Sequence, residues 1–448
     1  MRRLLALTAI AAVAAGSTYA VRAGGSASRD RSPSAVSATA ALNTIDNVGT
    51  VSGRETDRLI AAYEKVAHHV ADTRVDGMLA TLYLQRAKLT GDVATYRQAL
   101  GAAVLAARLA PRDPDSLTAL ANTRYALHDF TAAAAAAAAA LRDDSRAYAA
   151  AAVLGDCDLE TGRYADARRI YDLLAGDVSH SPGVEIRQAR LAWVTGHPER
   201  ARSLAIEARR DAVASGAFGI GLAFYDVFLA QLSGDLARYD DAVGYAAQAV
   251  REAPGWHVAL AASGRAFGQR GDFTRALSAY RSAVAIVPQP DYLAALGDLE
   301  LLTGQRTAAA RDYATIDAIR RLAVANRQIY NRLLVIAAAD RGADVAGSVS
   351  MALAELKVRH DGAGYDAAAW ALHADGQDAR ASALAAIALR IDPRDPRFDW
   401  HAGAIAASLG QTQRAVQLIE RALAISPNFD PLQARRATQL LAQLRAHR

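Results

Sequence analysis

Cysteine is almost absent from this chain of 448 residues: Cys157 stands alone. That excludes an intramolecular disulfide and any metal site built on paired cysteines. Aromatic residues make up only 6% of the chain, and long runs of large β-branched residues are missing. A sheet core has little to be made from. No one sign of charge dominates. The formal net charge is +5, and three of the positive residues, Arg2, Arg3 and Arg22, lie in the first 23 positions. Basic residues are otherwise interleaved with acidic ones. The footprint of a nucleic-acid binder, a basic stripe with interleaved aromatics, is therefore lacking, and no nucleic-acid partner is expected.

What the chain does have is alanine, leucine and arginine, with 52% hydrophobic and 22% charged residues. Such a composition favours helices with regular punctuation. At this length one ordinary core would be too large, so either several domains or a repeat array is expected.

The N-terminus reads as an address. Met1-Arg2-Arg3 is a positive start, residues 4–15 are apolar, and Thr18-Tyr19-Ala20 or Val21-Arg22-Ala23 offers a small-residue cleavage site. Residues 1–23 are thus expected to be a signal peptide, or an N-terminal membrane anchor if the apolar stretch 4–21 is not cut. A chance apolar start is the remaining alternative. Residues 24–50 read as a flexible linker, Gly/Ser/Arg/Pro-rich at its start.

Beyond this a period appears. Glycines suited to ending a helix fall at Gly91, Gly162, Gly196, Gly234, Gly271, Gly304, Gly342, Gly376 and Gly410, with the spacing 34 recurring. Alanines early in a following helix repeat in step: Ala99, Ala133, Ala167, Ala201, Ala242, Ala276, Ala309, Ala381 and Ala415. The stretch 257–288 carries Gly264, Phe267, Gly271, Phe273, Ala276, Tyr280, Ala283 and Pro288; 148–175, 362–393 and 396–427 carry comparable sets, the last two ending on Pro393 and Pro427. In this register the chain resembles the tetratricopeptide-repeat family over residues 51–446. The resemblance implies an all-α fold, a right-handed solenoid of stacked antiparallel helix pairs. About ten repeats are expected, with capping helices near 55–71 and at 431–445. Residues 310–350 form the least regular copy, where Gly347 and Ser348 weaken the second helix. The segments 91–99 and 234–242 each place three extra residues in the turn within a repeat. The alanine run 132–140 is expected to be helical but featureless.

Chemistry is harder to find. His68-His69 point in different directions on a helix and read as solvated. Cys157 reads as an inert packed thiol. The glycines of 216–221 follow no strand and read as a turn between repeats, and Asp143-Asp144 and Asp240-Asp241 read as helix caps. No catalytic, cofactor or metal residues are assigned, and no small-molecule ligand is inferred.

The resemblance does imply a groove along the first helices of the pairs. Its register places Asn122, Tyr125, Arg190, Trp193, Arg265, Gln269, Arg332, Asp366, Trp370 and His373 there, with Gln85, Asp156, Glu160, Phe228 and Asp298 among further positions. Trp193 and Trp370 are the expected anchors, since Trp, Tyr and Arg dominate binding hot spots. Family members that grip a C-terminal carboxylate use a Lys/Asn/Arg set, of which only Asn122 and Arg190 fall near matching positions. The expected function is an exported or envelope-associated scaffold that binds a protein or peptide and is not an enzyme. A ligand-sensing regulator and an enzyme with an unrecognised site are the alternatives.

Overall fold

The structure, a computed structural model, describes residues 53–178, 180–325 and 332–446. The expected signal and linker, residues 1–50, lie outside these. Every regular element among the described residues is helical. The first is α1 (Gly53–Ala67), and the last is α22 (Pro431–Ala446). Between them the helices follow as ten successive pairs: α2 (Thr73–Thr90) and α3 (Val93–Leu109), α4 (Pro114–Ala126) and α5 (Phe130–Asp143), α6 (Tyr148–Glu160) and α7 (Tyr164–Asp177), α8 (Pro182–Val194) and α9 (Pro198–Ala214), α10 (Ile220–Asp235) and α11 (Tyr239–Glu252), α12 (His257–Arg270) and α13 (Phe273–Ile286), α14 (Pro290–Leu302) and α15 (Arg306–Ala325), α16 (Arg332–Ala339) and α17 (Val345–Glu355), α18 (Gly362–Ala374) and α19 (Asp378–Ile391), and α20 (Pro396–Ser408) and α21 (Thr412–Ile425). The architecture is a helical-repeat solenoid.

Local chemistry explains where the helices begin. Asp72, Asp113 and Asp395 accept hydrogen bonds from the backbone N–H of Arg74, Ser116 and Arg397 at 2.8, 2.9 and 2.8 Å, which satisfies donors the first turn cannot. Pro114, Pro290 and Pro396 occupy the first helical position, where a missing N–H costs nothing.

The register alanines are the places where helices touch. All nine are 0% exposed. A second rule joins the members of a pair. A Cβ on Gly155, Gly264 or Gly297 would stand 2.6 Å from the ring of Tyr171, Tyr280 or Tyr313, each sixteen residues later; at Gly403 it would stand 2.7 Å from Ile419, again sixteen residues on. Glycine on the first helix is thus the socket for a large side chain on the second. The alanine run conforms too: Ala133, Ala137 and Ala140 are buried against Tyr125, Phe130 and Val153.

Two expectations need correction. The extra residues at 91–99 and 234–242 do not widen the turns. They lengthen helices instead: α3 has 17 residues where α5 and α7 have 14, and α10 has 16 where α12 has 14. Continuing a helix pairs each added N–H and C=O, whereas a wider loop leaves them to water. In consequence Gly234 lies inside α10, and Ala237 takes the left-handed backbone conformation (φ 57) expected of it. The irregular copy does form both helices, with eight described residues in α16 and eleven in α17.

The chain divides into two compact units. The N-terminal unit holds described residues 53–191 and 203–225, and the C-terminal unit holds 192–202 and 226–446. In the first, Leu117, Tyr125, Phe130, Val153 and Cys157 share one core and Leu174, Val178 and Val184 another. In the second, cores form around Tyr280, Tyr292 and Leu296 and around Trp370, Trp400, Ile419 and Phe429. No described helix is long and apolar enough to cross a membrane.

Candidate functional site

The positions expected to line an open groove are largely committed to neighbouring repeats. In the N-terminal unit, Asp156 on α6 receives Arg187 of α8: Nε lies 3.1 Å from both oxygens and Nη2 3.0 Å from one. It also accepts the Tyr171 hydroxyl at 2.8 Å. Arg187 is 1% exposed, and its remaining Nη1 donates to the Gly183 carbonyl. One turn further along α6, Glu160 accepts from Arg190 at 2.7 Å and from the Tyr125 hydroxyl at 3.5 Å. Burial, and then the charges of Glu160 and Asp156, push the Tyr125 and Tyr171 phenols far above their ordinary range. Asn122 is buried as well.

The C-terminal unit repeats the arrangement. Arg265 pairs with Asp235, thirty residues earlier, at 2.5 Å. Trp370 donates its indole N–H to Asp340, again thirty residues earlier, at 2.9 Å. The Trp370 ring stacks on His401 at 4.1 Å, while His401 Nδ1 lies 2.9 Å from both oxygens of Asp366. Burial opposes charge on that imidazole, but Asp366 wins and holds its pKa above the usual histidine value. Arg332 forks between Glu355 and Asp361 at 2.7–3.0 Å. His373 sits 2.5 Å from Asp378, and Trp193 packs edge-on against Phe228 at 5.2 Å.

Of the two expected anchors, Trp370 is buried and Trp193 half-buried. Asn122, Tyr125, Gln269, Asp366 and Trp370 are buried, and Arg190, Trp193, Arg265, Arg332 and His373 are half-buried. The physical reason is reach. A long side chain on one first helix meets its counterpart about thirty to thirty-five positions away and satisfies its polar end there rather than in water.

A later loop of the chain also reaches the first helices, at Gly234 and Gln269. The ends of α10 and α12, with Tyr239 at the start of α11, carry the connection between α21 and α22, residues 426–430. Ser426 Oγ donates to the Gly234 carbonyl at 3.2 Å and lies 3.0 Å from the Tyr239 hydroxyl. Asn428 donates its backbone N–H to that hydroxyl at 2.9 Å and its side-chain amide to the carbonyls of Gln269 and Gly268 at 2.5 and 3.3 Å. Gln269 in turn donates Nε2 to the Phe429 carbonyl at 3.1 Å. Gly234 is a glycine because the Gln269 amide occupies the space a Cβ would need. One repeat earlier, Pro393 is seated 2.6 Å from where a Cβ on Gly196 would stand, beside a cleft bordered by Trp193, Asp235 and Pro396. Pro393 and Pro427 were legible as helix stops; their seating on a distant first helix was not. The hint was the recurrence of Asp-Pro-Arg-Asp-Pro as Ser-Pro-Asn-Phe-Asp-Pro after 34 residues.

Among the described residues, one group could present metal-ligand atoms together. His180 Nδ1, Glu185 and Asp211 bring theirs within 4.8 Å of one another. Arg210 already pairs with Asp211 at 2.9 Å, and burial and then Asp211 push Glu185 up to about 7. Cys157 is 0% exposed, and burial, then Asp156, raise its thiol far above the reactive range.

A tetratricopeptide-repeat family model matches residues 118–182, 229–289, 261–321 and 367–428. No curated protein matches the chain. Among solved structures, the chain is similar to PilW, described as a widely conserved type IV pilus biogenesis factor, with 17% identity, 46% of this chain and 92% of that one covered, and a TM-score of 0.40. Yeast Tom70 is 10% identical over 92% of this chain and 96% of its own, with a TM-score of 0.36. The human IFIT1 dimer with PPP-AAAA is 13% identical over 83% and 78%, with a TM-score of 0.42. At these identities the likeness concerns the fold alone.

Proposed function

Because the chain belongs to the tetratricopeptide-repeat family, we propose that it works as a non-enzymatic scaffold that binds another protein on the face of its first helices. One observation carries this reading: three main-chain carbonyls near the ends of α10 and α12, the hydroxyl of Tyr239 at the start of α11 and the Gln269 amide are matched to the backbone and short side chains of a polypeptide. A small substrate would call for convergent charged groups around a shaped pocket. Several titratable residues of the first helices, Asp156, Glu160 and Asp235 among them, are instead paired between repeats.

We place this scaffold outside the cytoplasm or at the cell envelope, on the strength of the positive start and apolar stretch within residues 1–23. Two measurements test the reading. Partners recovered on the tagged full chain are compared with those on Tyr239→Phe/Gln269→Ala; a specific partner is expected on the first and depleted on the second. Equal recovery of every partner by both would remove this face from the function. N-terminal sequencing of the fractionated protein tests export, and Met1 intact in a soluble cytoplasmic fraction would overturn it.

A further inference from the structure

The occupant of the first-helix face is a turn. The Phe429 N–H returns to the Ser426 carbonyl at 3.2 Å, and Pro427 presets the second position of a four-residue turn. Pro393 opens a related loop that is seated on Gly196 one repeat earlier, so successive first-helix ends of this unit accept proline-led turns. The fit at the later position is incomplete. A cavity of about 110 Å³ remains beside the turn, bordered by Gly264, Arg265, Asp298, Arg397 and Asp430. Arg265 is engaged by Asp235 and Arg397 by Asp395, the latter at 2.7 Å. Asp298 accepts the Tyr313 hydroxyl at 2.5 Å and otherwise shares the cavity with a second carboxylate, Asp430. Both carboxylates are half-buried, and Asp298 is pushed up to about 7 by burial and then by the charge of Asp430.

We infer that residues 426–431 are the resident occupant of the partner surface, and that the partner is a protein presenting a proline-led turn with asparagine in its third position and a basic residue where Asp430 stands. This deepens the proposed scaffold function and rests on it. The asparagine reads the Gly268 and Gln269 carbonyls as Asn428 does, and the basic side chain enters the cavity beside Asp298. The resident turn lacks that cation, so an incoming turn that carries it has an advantage to set against the high effective concentration of a tethered segment.

The test uses the full chain and a labelled peptide of residues 423–432 carrying Asp430→Arg. Anisotropy is expected to show weak binding to the wild-type chain and at least ~10-fold tighter binding to Asn428→Ala, in which the resident turn has lost its amide contacts. Hydrogen exchange over residues 426–446 reports whether that variant releases the turn. The unsubstituted peptide is expected to bind Asn428→Ala about 10-fold more weakly than the arginine peptide, with the difference abolished by adding Asp298→Asn. If exchange rises but no peptide binds, the turn is not a ligand mimic and the inference falls. Unchanged exchange in Asn428→Ala makes the turn a fixed part of the fold, which overturns it equally. Equal binding of both peptides removes the basic partner. If peptide binding fails while a partner still depends on Tyr239 and Gln269, this inference is lost and the scaffold reading stands.

Discussion

The first helices of the two units use the same register to different ends. In the N-terminal unit, the inner polar residues meet partners no more than 35 positions away: Asp156 with Arg187, and Glu160 with Tyr125 and Arg190. In the C-terminal unit similar pairs form, Asp235 with Arg265 and Asp340 with Trp370. There the face also receives chain from about 160 to 190 positions away, through Ser426, Asn428 and Phe429. Neighbour pairing is thus a property of the repeat, whereas covering the face depends on where a later loop arrives. A solenoid's stability is a sum over neighbours, and the C-terminal unit adds contacts that such a sum omits.

The largest expected effect tests the neighbour pairing. Asp156→Ala removes the carboxylate that accepts from Nε and Nη2 of Arg187, which is 1% exposed. An unpaired buried charge costs about 3–5 kcal/mol. Denaturant unfolding should show the N-terminal unit melting first in this variant, while Asp156→Leu/Arg187→Met should recover much of the loss. If the single variant unfolds as the wild type does, neighbour pairs do not carry that unit.

A middle-sized effect asks whether both units obey one packing rule. Gly155→Ala and Gly264→Ala each force a Cβ to 2.6 Å from a tyrosine ring. Overpacking of this kind costs about 1–3 kcal/mol, set against about 1 kcal/mol gained from alanine's helix propensity. The two variants should be destabilised by similar amounts in thermal unfolding. A cost confined to one unit would show that the shared glycine–tyrosine spacing conceals different packing.

The smallest effect concerns pH. Burial pushes Glu185 in the N-terminal unit and Asp298 in the C-terminal unit up to about 7, helped by Asp211 and Asp430 respectively. Their unfolded values are about 4.3 and 3.9. A folded pKa above the unfolded one gives stability that is complete below the unfolded value and is lost as pH rises through the folded one. Both units should therefore lose stability between about pH 4 and 7. Glu185→Gln should flatten that fall in the N-terminal unit and Asp298→Asn in the C-terminal unit, read from denaturation midpoints across pH. An unaltered slope in both would assign it to other carboxylates.

Much of the fold was legible. The register glycines at 91, 162, 196, 271, 304, 342, 376 and 410 do take positive φ, and the register alanines are all fully buried. Gly234 misled because a glycine in this register has two uses, ending a helix or clearing space for a side chain, and the Gln269 amide needed the second. His128, with φ 61, ends a first helix where no glycine marks the place. The site was less legible. Trp370 was an expected anchor because its register position falls on the groove side of a first helix. Only in three dimensions do His401 and Asp340 close around it.

Periodicity, with the family resemblance it carries, pointed to helix pairs stacked on small residues, because a 34-residue period with glycine and alanine in step is the mark of that repeat. Which polar side chains would remain free was decided by the tertiary structure. Neighbouring first helices bring together residues thirty positions apart, and the turn at 426–431 comes to rest on helices that precede it by more than 150. Satisfying buried donors and acceptors is a condition on positions in space, and a one-dimensional register cannot state it.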